Sequence, residues 1–572
     1  MISQGAEEEI RKAALKNAMD YGKARDSTVV NSVLSKFPEL KSSLKELSLA
    51  VKTEVERVNG LGKGEIESEA SAYKKEFEQK EKEKAMRTAK PRLELEGAVK
   101  GAFVTRFPPE PNGYMSIGHA KVSLMERQLA DIYSGKIGLY FDDTNPEKEK
   151  QEFVDAFKKD LKWIGIDFDD EYYASDNIET LYKYASILIE NNNAYVCFCA
   201  PEKVKENRSA GTDCEHKSQS PEKNMGLWQD LLNKKLDNGI LRLKGDIKNL
   251  NTAMRDPTLF RIKTEPHYRQ GTKYSVWPTY DFNTSIMDSI KGVTDAIRSK
   301  EYELRDELYY TILDMLQLRK PRIHSVARLE IENNVTSKRK LNELMKQGLL
   351  SGYDDPRLIT IAGLRKRGIL PEAIREFVTR FGLSKTDSKV SIDMLLAENR
   401  KLIDGMAIRL FFIAKPARLE VNGIPEDKRE GKIKMHPTED LGYRKYKLTD
   451  VFFINTYDAI NLNKGDLVRL KDAFDIKIEK IEGDSIEAAY TEDGGKEAPK
   501  LQWVNEGNYI NAKILVIGNL LNGEIFNKNS LETVEGYAEA QAKELKEGDY
   551  VQFERIGFFK FDSKDETSFI SV

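Results

Sequence analysis

The spacing of apolar residues changes along the chain, and the first change separates a helical region from an α/β region. In residues 1–98 apolar residues recur at steps of three and four, as in Val29, Val33 and Leu34, and this spacing predicts helices. From Gly101 the short apolar runs AFVTRF and GLYFDD are separated by about thirty residues of helical pattern. Two strands joined through a helix are typical of a βαβ unit with parallel strands.

Further patterns follow toward the C-terminus. Residues 197–273 are polar and irregular, so an insertion is expected there. Strand and helix patterns then resume, and residues 340–405 are predicted to be helical. From residue 406 short β-rich runs such as AKILVIG are separated by Gly, Asn and Asp turns, as expected of β-barrels. The charged run 74–90 is predicted to be a solvated helix or a linker.

Composition narrows the class of protein. The chain has 572 residues, 40% hydrophobic and 32% charged, so several globular domains are expected rather than disorder. The formal net charge of −3 excludes a global basic field, so any nucleic acid must be bound by local patches. Three cysteines exclude a disulfide scaffold. No apolar run approaches ~18–20 residues and the segment MISQGAEEEI has no apolar core, so we expect a cytoplasmic protein that binds no membrane.

The stretch Arg106–Lys121, RFPPEPNGYMSIGHAK, is the most informative in the chain. A strand leads into three prolines and a glycine, and a helix is predicted to begin near Ile117. The free N–H groups at a helix N-terminus and their positive potential form a natural seat for phosphate. Gly118 would let a flat base lie on the backbone, and His119 would donate to phosphate oxygens.

This stretch resembles the HIGH signature region of class I aminoacyl-tRNA synthetases, in the form shared by glutamyl- and glutaminyl-tRNA synthetases, with SIGH at 116–119. Residues 334–340, NVTSKRK, look like the second signature, KMSKS. FDDTNPEKE at 141–149, PTYDF at 278–282 and DDPRLITIAGLRKRG at 354–368 are similar to the same subfamily, in the same order. The resemblance covers nearly the whole chain and is closest to the archaeal and eukaryotic type of glutamyl-tRNA synthetase.

The resemblance implies a multidomain α/β and β fold: a Rossmann-type parallel-sheet catalytic domain with an insertion, helical domains and C-terminal β-barrels. Six parts are predicted. They are an N-terminal helical extension, the first catalytic half, an acceptor-stem insertion with a zinc knuckle, the second catalytic half with the KMSKS-like loop, a helical connective domain and the anticodon-binding barrels. In this order they span residues 1–98, 99–196, 197–273, 274–339, 340–405 and 406–572.

The resemblance also implies the reaction. Glutamate and ATP form glutamyl-adenylate, and the glutamyl group is transferred to the 3′-terminal adenosine of tRNA(Glu). The glutamate carboxylate is ionised at neutral pH, so catalysis consists of positioning and of stabilising charge on the phosphates. His119 and Lys338 are the expected catalytic residues, and Mg²⁺ would accompany ATP. The expected ATP-binding residues are Glu110, Asn112, Ser116, Gly118, His119, Arg328, Leu329, Ser337 and Lys338.

The residue at position 298 bears on which amino acid is activated. Glutamate and glutamine are nearly isosteric, so a site separates them by charge. By similarity, the position eighteen residues after Tyr280 faces the substrate side chain; it is Arg298, whose fork matches a carboxylate. The glutaminyl enzymes have a small neutral residue there, so glutamate is predicted. Three further residues resemble the other substrate contacts of the family. Arg106 would contact a carboxylate, Asp142 the α-amino group and Tyr280 the amino-group end of the substrate.

All three cysteines lie within eighteen residues of one another. Cys197 and Cys199 form CFC, and Cys214 with His216 forms CEH. These two knuckles supply four tetrahedral ligands, so structural Zn²⁺ is predicted. The alternative is that no metal is bound, that Cys197 and Cys199 are buried at a strand end, and that Cys214 and His216 are unrelated to them. Some glutamyl-tRNA synthetases resemble this sequence in having such a knuckle in the acceptor-stem insertion.

The expected partners are L-glutamate and tRNA(Glu), with tRNA(Gln) as a second candidate. The N-terminal helices are a hypothetical contact for tRNA or a companion protein, and the family suggests a monomer. tRNA contacts are expected from local basic residues. The candidates are Lys338, Arg339, Lys340, Arg357, Arg365, Lys366, Arg367 and the barrel loop 428–434.

Three alternative functions stay open. A glutaminyl-tRNA synthetase is disfavoured by Arg298. A catalytically weak paralogue that binds tRNA or serves in assembly is favoured only by Ser116, which replaces the first histidine of the signature. The presence of His119, Lys338 and Asp142 argues against it. A generic nucleotidyltransferase would need neither the barrels nor the acceptor-stem insertion.

Overall fold

The computed structural model describes residues 4–36, 44–73, 77, 93–335, 337–483, 485–495, 498–563 and 567–572. The chain forms two compact units, Met1–Lys90 and Pro91–Val572. The charged run predicted as a helix or linker at 74–90 lies outside the described residues, except for Phe77. Thr336 of the KMSKS-like loop lies outside them as well.

The first unit contains four described helices, in agreement with the helical spacing of its sequence. They are α1 (Gln4–Tyr21), α2 (Asp26–Lys36), α3 (Leu44–Asn59) and α4 (Lys63–Ala70). Val29, Val33 and Val51 are fully buried in one shared core. The Asn59 side chain accepts from the Ala24 N–H (2.7 Å) and donates to the Ala24 carbonyl (3.0 Å), which fastens the α1–α2 turn to the end of α3.

The second unit begins with a parallel α/β layer. Its elements are β1 (Val104–Phe107), α5 (Ile117–Ile132), β2 (Lys136–Phe141), α6 (Gln151–Trp163) and β3 (Asp170–Tyr173). The strands pair in parallel in the order β1-β2-β3, and every residue of β2 after the first is buried, as expected of a sheet covered on both faces. The predicted βαβ unit and the predicted helix start at Ile117 are confirmed.

A regular antiparallel layer follows. It contains α7 (Ile178–Glu190), β4 (Ala194–Cys197), α8 (Pro201–Ala210), α9 (Pro221–Leu232), β5 (Ile240–Leu243), β6 (Thr258–Ile262) and β7 (Val276–Pro278). The strands pair in the order β4-β5-β6-β7. The segment 197–273, whose sequence pattern is polar and irregular, contains α8, α9, β5 and β6 joined by longer irregular stretches. Its strands are too short to show a clear period, yet Trp228, Leu241 and Phe260 are fully buried in one core.

The chain then returns to the parallel layer through α10 (Tyr280–Ile290), β8 (Asp295–Ser299), α11 (Asp306–Met315) and β9 (Arg322–Val326). β8 pairs with β9 in parallel, and the Thr294 N–H donates to the Val104 carbonyl (2.8 Å), which places β8 beside β1. The order β3-β2-β1-β8-β9 is that of a Rossmann-type sheet. In such sheets ligands bind at the carboxyl ends of the strands where the order reverses, here at β1 and β8.

Helices connect this layer to the C-terminal sheets. They are α12 (Lys338–Lys346), α13 (Ile361–Arg367), α14 (Pro371–Thr379) and α15 (Asp393–Ile403). The strand β10 (Leu329–Ile331) precedes α12 and pairs in parallel with β11 (Ser388–Val390), which lies between α14 and α15. The helical prediction for 340–405 is thus confirmed for most of that span. None of the helices in the described parts of the chain has the length and apolar character needed to cross a membrane.

Two seven-stranded, near-barrel sheets form the C-terminal part and confirm the predicted fold class. Their elements and the adjoining hairpins are β12 (Ile408–Leu410), β13 (Phe412–Ala414), β14 (Pro416–Asn422), β15 (Glu430–Lys434), β16 (Tyr443–Lys447), β17 (Val451–Asn455), α16 (Thr456–Ala459), β18 (Leu467–Leu470), β19 (Asp475–Glu482), β20 (Ser485–Thr491), β21 (Lys500–Leu501), β22 (Trp503–Asn505), β23 (Tyr509–Ile517), β24 (Leu521–Asn522), β25 (Ile525–Phe526), β26 (Leu531–Glu539), β27 (Tyr550–Phe553), β28 (Gly557–Ser563) and β29 (Ser568–Ser571). One sheet has the order β21-β18-β19-β20-β14-β17-β22 and the other β12-β27-β28-β29-β23-β26-β13.

Candidate active site

The proline-rich stretch between β1 and α5 is held by backbone hydrogen bonds from two neighbouring segments. The Asp142 N–H, just after β2, donates to the Pro109 carbonyl (3.1 Å). The Ile117 N–H, at the start of α5, donates to the Ile359 carbonyl (3.0 Å). The loop after β2 and the segment 354–368 therefore fix the N-terminus of α5 at the carboxyl end of the parallel sheet.

The first turn of α5 orients His119. The Ser116 backbone N–H donates to His119 Nδ1 (3.1 Å), and the Ser116 hydroxyl lies 3.1 Å from the same atom. Nδ1 is therefore the acceptor and Nε2 carries the proton, which leaves an N–H group for a ligand. Desolvation where the ring packs against the protein lowers the pKa of His119 to about 4, and the charge of Arg328 acts in the same direction, although part of the residue is exposed to solvent. The ring is therefore neutral at physiological pH. Ser116 thus holds the remaining signature histidine in one tautomer.

A small cleft of about 100 Å³ lies beside this turn. The structure brings residues of both signature segments to its walls. The predicted ATP-binding residues in the lining are Glu110, Asn112, Ser116, His119 and Lys338. Lining residues that the sequence did not single out are Tyr114, Phe157, Tyr353 and Thr360.

Lys338 is the first residue of α12 and packs across the mouth of the cleft. A Cβ placed on Gly113 would lie 3.6 Å from the Lys338 Cδ, and the ammonium group lies 4.7 Å from the centre of the Phe153 ring. Partial burial lowers the pKa of Lys338, while the Glu110 carboxylate acts in the opposite direction. The stem is thus packed against the protein and its cationic end lies beside the cleft.

The other predicted ATP-binding residues lie around the cleft rather than in its described lining. Gly118 faces Leu329, whose carbonyl oxygen would be 4.0 Å from a Cβ at Gly118. Arg328 is exposed and ion-paired with Glu301. Ser337 is exposed and immediately precedes α12.

A buried ion pair lies under the amino-acid side of the site. Arg106 on β1 is fully buried and donates through Nε and Nη2 to both Asp288 oxygens (2.7 and 3.0 Å). Its Nη1 donates to the Ile297 carbonyl (3.1 Å). The sequence predicts that Arg106 contacts a substrate carboxylate, whereas here its carboxylate partner belongs to the protein. Asp288 lies on α10, 182 residues after Arg106 along the chain, and no local pattern in the sequence links the two residues.

Arg298 on β8 is 4% exposed and is surrounded by tyrosines. Its guanidinium carbon lies 5.4–5.6 Å from the ring centres of Tyr280, Tyr302 and Tyr309. Nη1 donates to Asp306 (3.2 Å), but the buried Nε has no hydrogen-bond partner among the described residues. An unsatisfied buried donor costs about 1–3 kcal/mol, so the arrangement favours an incoming acceptor such as a carboxylate.

Asp142 completes this group of side chains. Its Oδ1 accepts from the Asn283 side-chain amide (2.9 Å) and the Thr144 hydroxyl (3.3 Å). Burial, reinforced by the Glu110 carboxylate, raises the pKa of Asp142 to about 7. A cationic ligand would stabilise the ionised form. Tyr280 lies near the other three predicted substrate-binding residues: burial raises its pKa, the charges of Arg298 and Arg106 oppose this shift, and Asp142 adds to it.

Cys197, Cys199, Cys214 and His216 form a compact cluster beyond the end of β4, with their ligand atoms all within 4.8 Å of one another. Cys214 Sγ lies 3.5–3.6 Å from the other two sulfurs and 3.3 Å from His216 Nδ1. A tetrahedron with Zn–S near 2.3 Å and Zn–N near 2.0 Å has edges of about 3.5–3.8 Å, so the four residues fit a zinc ion. Burial raises the pKa of the Cys214 thiol to about 12, and a bound cation would reverse this.

Three of the basic candidates for tRNA contact are used inside the protein. Arg357 forms an ion pair with Asp355 (2.7 Å), and both side chains are buried. Arg365 pairs with the buried Asp160 (2.9 Å), and Arg367 is itself buried. Arg357 and Arg367 are therefore largely enclosed by the protein, whereas the Arg365 side chain is 28% exposed and its contact with tRNA stays a prediction.

The chain matches three family models. Residues 102–404 match "tRNA synthetases class I (E and Q), catalytic domain". Residues 407–493 and 500–562 match two models described as "tRNA synthetases class I (E and Q), anti-codon binding domain". The chain belongs to this family of class I aminoacyl-tRNA synthetases, the ATP-dependent enzymes that join an amino acid to tRNA.

Its relatives among curated proteins are similar over the whole length. The chain is 40% identical to the "Glutamate–tRNA ligase" of Nitrosopumilus maritimus (strain SCM1), covering 98% of each chain. It is 38% identical to the "Glutamate–tRNA ligase" of Cenarchaeum symbiosum (strain A), covering 97% of this chain and 98% of the relative. With the "Glutamate–tRNA ligase" of Pyrococcus abyssi it shares 37% identity over 98% of each chain. The resemblance to the archaeal type is thus confirmed.

Proposed function

We propose that the protein is a glutamate–tRNA ligase, which activates L-glutamate with ATP to glutamyl-adenylate and transfers the glutamyl group to the 3′-terminal adenosine of tRNA(Glu). The observation that carries the choice of amino acid is Arg298, buried with an unpartnered Nε. A γ-carboxylate would satisfy this guanidinium, whereas a neutral amide would leave its charge poorly compensated. The shared name of the archaeal relatives supports the same assignment.

The ATP cleft supports catalysis by charge stabilisation. His119 offers its Nε2–H and Lys338 an ammonium group, and both line the same cleft. In the proposed reaction the ionised glutamate carboxylate attacks the α-phosphorus, and negative charge moves to the departing pyrophosphate. The two donors would stabilise that charge, and Mg²⁺ bound with ATP would neutralise the phosphates further. Glu110 and Asn112 would complete the ATP contacts.

Exchange of pyrophosphate into ATP tests the proposal. It is measured with glutamate and with glutamine, each with and without total tRNA. We expect exchange with glutamate plus tRNA only, because the subfamily resembled here couples activation to tRNA. Exchange with glutamine would favour a glutaminyl-tRNA synthetase. If no exchange occurs under any of the four conditions although the protein still binds tRNA, the catalytically weak paralogue would be favoured.

The raised pKa of Asp142 makes glutamate binding depend on pH. Only the ionised carboxylate attracts the α-ammonium group, and below its pKa of about 7 a proton must leave before the ligand binds. We therefore expect KM for glutamate to be constant above about pH 8 and to rise on acidification, approaching about tenfold per pH unit. Exchange assays at saturating ATP and tRNA measure it. Asp142→Asn should bind weakly with a flat profile; a flat profile in the wild type would contradict the assignment.

We further propose that the Cys₃His cluster holds one structural Zn²⁺. Four protein ligands would leave no open position for a reacting water. The ion would cross-link the end of β4 to the turn at 214–216 and so stiffen the layer that contains α8 and α9. This layer is the part predicted to receive the tRNA acceptor stem.

Metal analysis tests the zinc site. We expect about one zinc per chain in purified protein and less than about a tenth in Cys199→Ala, because structural sites need all four ligands. Glu215→Ala, in the same turn but outside the ligand set, should keep the metal. The proposal would be contradicted if the wild type bound iron tightly but not zinc, or if it were purified without metal and did not bind added zinc.

For tRNA, we propose a contact along the barrel loop 428–434. A groove at the junction of the two C-terminal sheets is lined by basic residues from both, and it lies within the segments matched as anticodon-binding domain. These residues are Arg409, Lys432, Lys434, Lys471 and Arg555, and Asp472 and Glu554 line the groove as well. Arg409, Lys471 and Arg555 form ion pairs with Asp404, Glu554 and Asp458. Lys432 and Lys434 are therefore the proposed phosphate contacts, while bases are read by stacking and edge contacts.

The remaining parts of the proposal concern organisation. We propose the six-part division of the chain given above, a monomer in the cytoplasm, and tRNA(Gln) as a second substrate to be tested beside tRNA(Glu). The helices of the first unit are proposed as an accessory contact for tRNA or a companion protein.

A further inference from the structure

A buried polar cluster adjoins the loop after β2, and none of its residues is in the lining of the ATP cleft. Its centre is Asp143, which accepts from the Ser175 N–H (2.8 Å), the Ser175 hydroxyl (2.7 Å) and the Tyr268 hydroxyl (2.8 Å). His267 and Glu149 complete it, and the side chains of Asp143, Glu149 and His267 are almost fully buried. None of these groups takes part in the proposed chemistry.

His267 reaches this cluster in one defined orientation. Its Nδ1 accepts from the Arg269 and Gln270 N–H groups (both 3.2 Å), so the proton is on Nε2. Nε2 lies 3.8 Å from Asp143 Oδ2 and 3.7 Å from Glu149 Oε2. Burial lowers the pKa of His267 to about 4, so the ring is neutral, and burial raises the pKa of Asp143 to about 7 and that of Glu149 to about 10. The Nε2–H therefore faces two carboxyl groups at distances longer than a direct hydrogen bond.

The hairpin that carries His267 is firmly supported. Arg269 and Gln270 both donate to Asp176 (2.6 and 2.7 Å), and the Arg269 guanidinium carbon lies 3.6 Å from the centre of the Tyr173 ring. The hairpin is therefore fixed to the chain just after β3. A side chain extended from it can hold the neighbouring loop in place.

Asp142 and Asp143 are consecutive, and their side chains are bound on different sides. The first has Asn283 as a hydrogen-bond partner and lies in the amino-acid site, whereas the second is bound by Ser175 and Tyr268. Fixing Asp143 therefore fixes the backbone that carries Asp142. Three buried atoms of the cluster have no hydrogen-bond partner among the described residues: His267 Nε2, Glu149 Oε1 and Asn145 Oδ1. Unsatisfied buried groups are uncommon and call for a functional reason.

We propose that His267 is a positioning residue for amino-acid binding: its buried ring, with the Nε2–H directed toward Asp143 and Glu149, supports the loop that holds Asp142 where it meets the α-ammonium group of the substrate. This inference rests on the proposed role of Asp142. It makes the hairpin that follows β6 part of the amino-acid site, although no atom of His267 touches the substrate.

Two substitutions separate this role from a purely local one. His267→Asn keeps an acceptor near the place of Nδ1 for the two backbone N–H groups but removes Nε2. His267→Gln extends an amide N–H to about the place of Nε2. We expect His267→Asn to raise KM for glutamate about tenfold, with KM for ATP changed less than about twofold, because only the position of Asp142 is altered. His267→Gln should stay within about threefold of wild type for both.

Pyrophosphate exchange with tRNA present, together with thermal unfolding, decides between the outcomes. A His267→Asn protein with wild-type KM for glutamate would overturn the proposal. Equal losses in both variants, with both KM values raised and a lower unfolding temperature, would show a merely structural histidine and overturn it too. Every amino acid has an α-ammonium group, so the comparison holds for whichever amino acid the wild type activates. A wild type that activates glutamine instead would refute the proposed substrate while leaving this test intact.

Discussion

Arg298→Gln is expected to lower kcat/KM for glutamate about 10³-fold, because it removes the cation proposed to face the substrate side chain. Among the residues that the structure describes, this guanidinium has a hydrogen bond to Asp306 and its Nε has no partner. The free protein therefore does not neutralise it fully, and a γ-carboxylate would add both charge and acceptors. The measurement is tRNA-dependent pyrophosphate exchange at varied glutamate and varied glutamine.

The same variant should also lose its preference between the two amino acids. Glutamine gains little from the arginine, so its kcat/KM should change less than about tenfold. Arg305→Gln is the matched control: Arg305 also lies beside Tyr302 (6.0 Å), but it is half-exposed and pairs with Asp281. It should stay within about threefold of wild type, since exposed ion pairs contribute little. A tenfold or smaller loss in Arg298→Gln would refute Arg298 as the selector.

Local pattern was sufficient for much of the fold. The prolines and glycine before Ile117 mark a strand-to-helix turn, and α5 begins at that residue. Alternating short runs after residue 406 predicted the C-terminal sheets. The strands β5 and β6 inside the predicted insertion were not identified, because strands of four or five residues are too short to display a period. Their structure depends on a core shared with α7 and α9 rather than on local sequence.

The site was predictable where motifs are contiguous and not where contacts are distant. His119 could be assigned from one string, yet its tautomer depends on the Ser116 N–H, which the sequence does not reveal. Arg106 was identified, but its partner Asp288 lies 182 residues away. Position 298 was identified by similarity alone. That three tyrosines surround its side chain follows from the packing of α10 and α11 beside β8.

Ser116 illustrates how a departure from a signature acquires meaning only in the folded chain. From the sequence, a hydroxyl in place of an imidazole suggests a weaker phosphate contact. In the structure both the hydroxyl and the backbone N–H of Ser116 lie 3.1 Å from His119 Nδ1. The substitution thus keeps the second imidazole as a neutral Nε2 donor, which argues against the catalytically weak paralogue.

Lys338→Ala is expected to lower kcat for pyrophosphate exchange about 10²–10³-fold, because it removes a positive charge that stabilises the transition state. Negative charge on the β- and γ-phosphates grows as the bond to the α-phosphorus breaks, so an ammonium group beside the cleft acts mainly in the transition state. KM for ATP should therefore change less than about threefold. Exchange assays at varied ATP, with glutamate and tRNA saturating, separate the two constants.

Two further variants make this assignment specific. Lys338→Arg keeps a positive charge at the start of α12 and should recover part of kcat, although a planar fork does not replace a compact ammonium group fully. Lys346→Ala removes an exposed lysine from the last turn of the same helix and should leave kcat within about twofold. If Lys338→Ala instead raised KM for ATP with kcat unchanged, the lysine would bind ATP equally in ground and transition states. Its proposed role in following the leaving pyrophosphate would then be wrong.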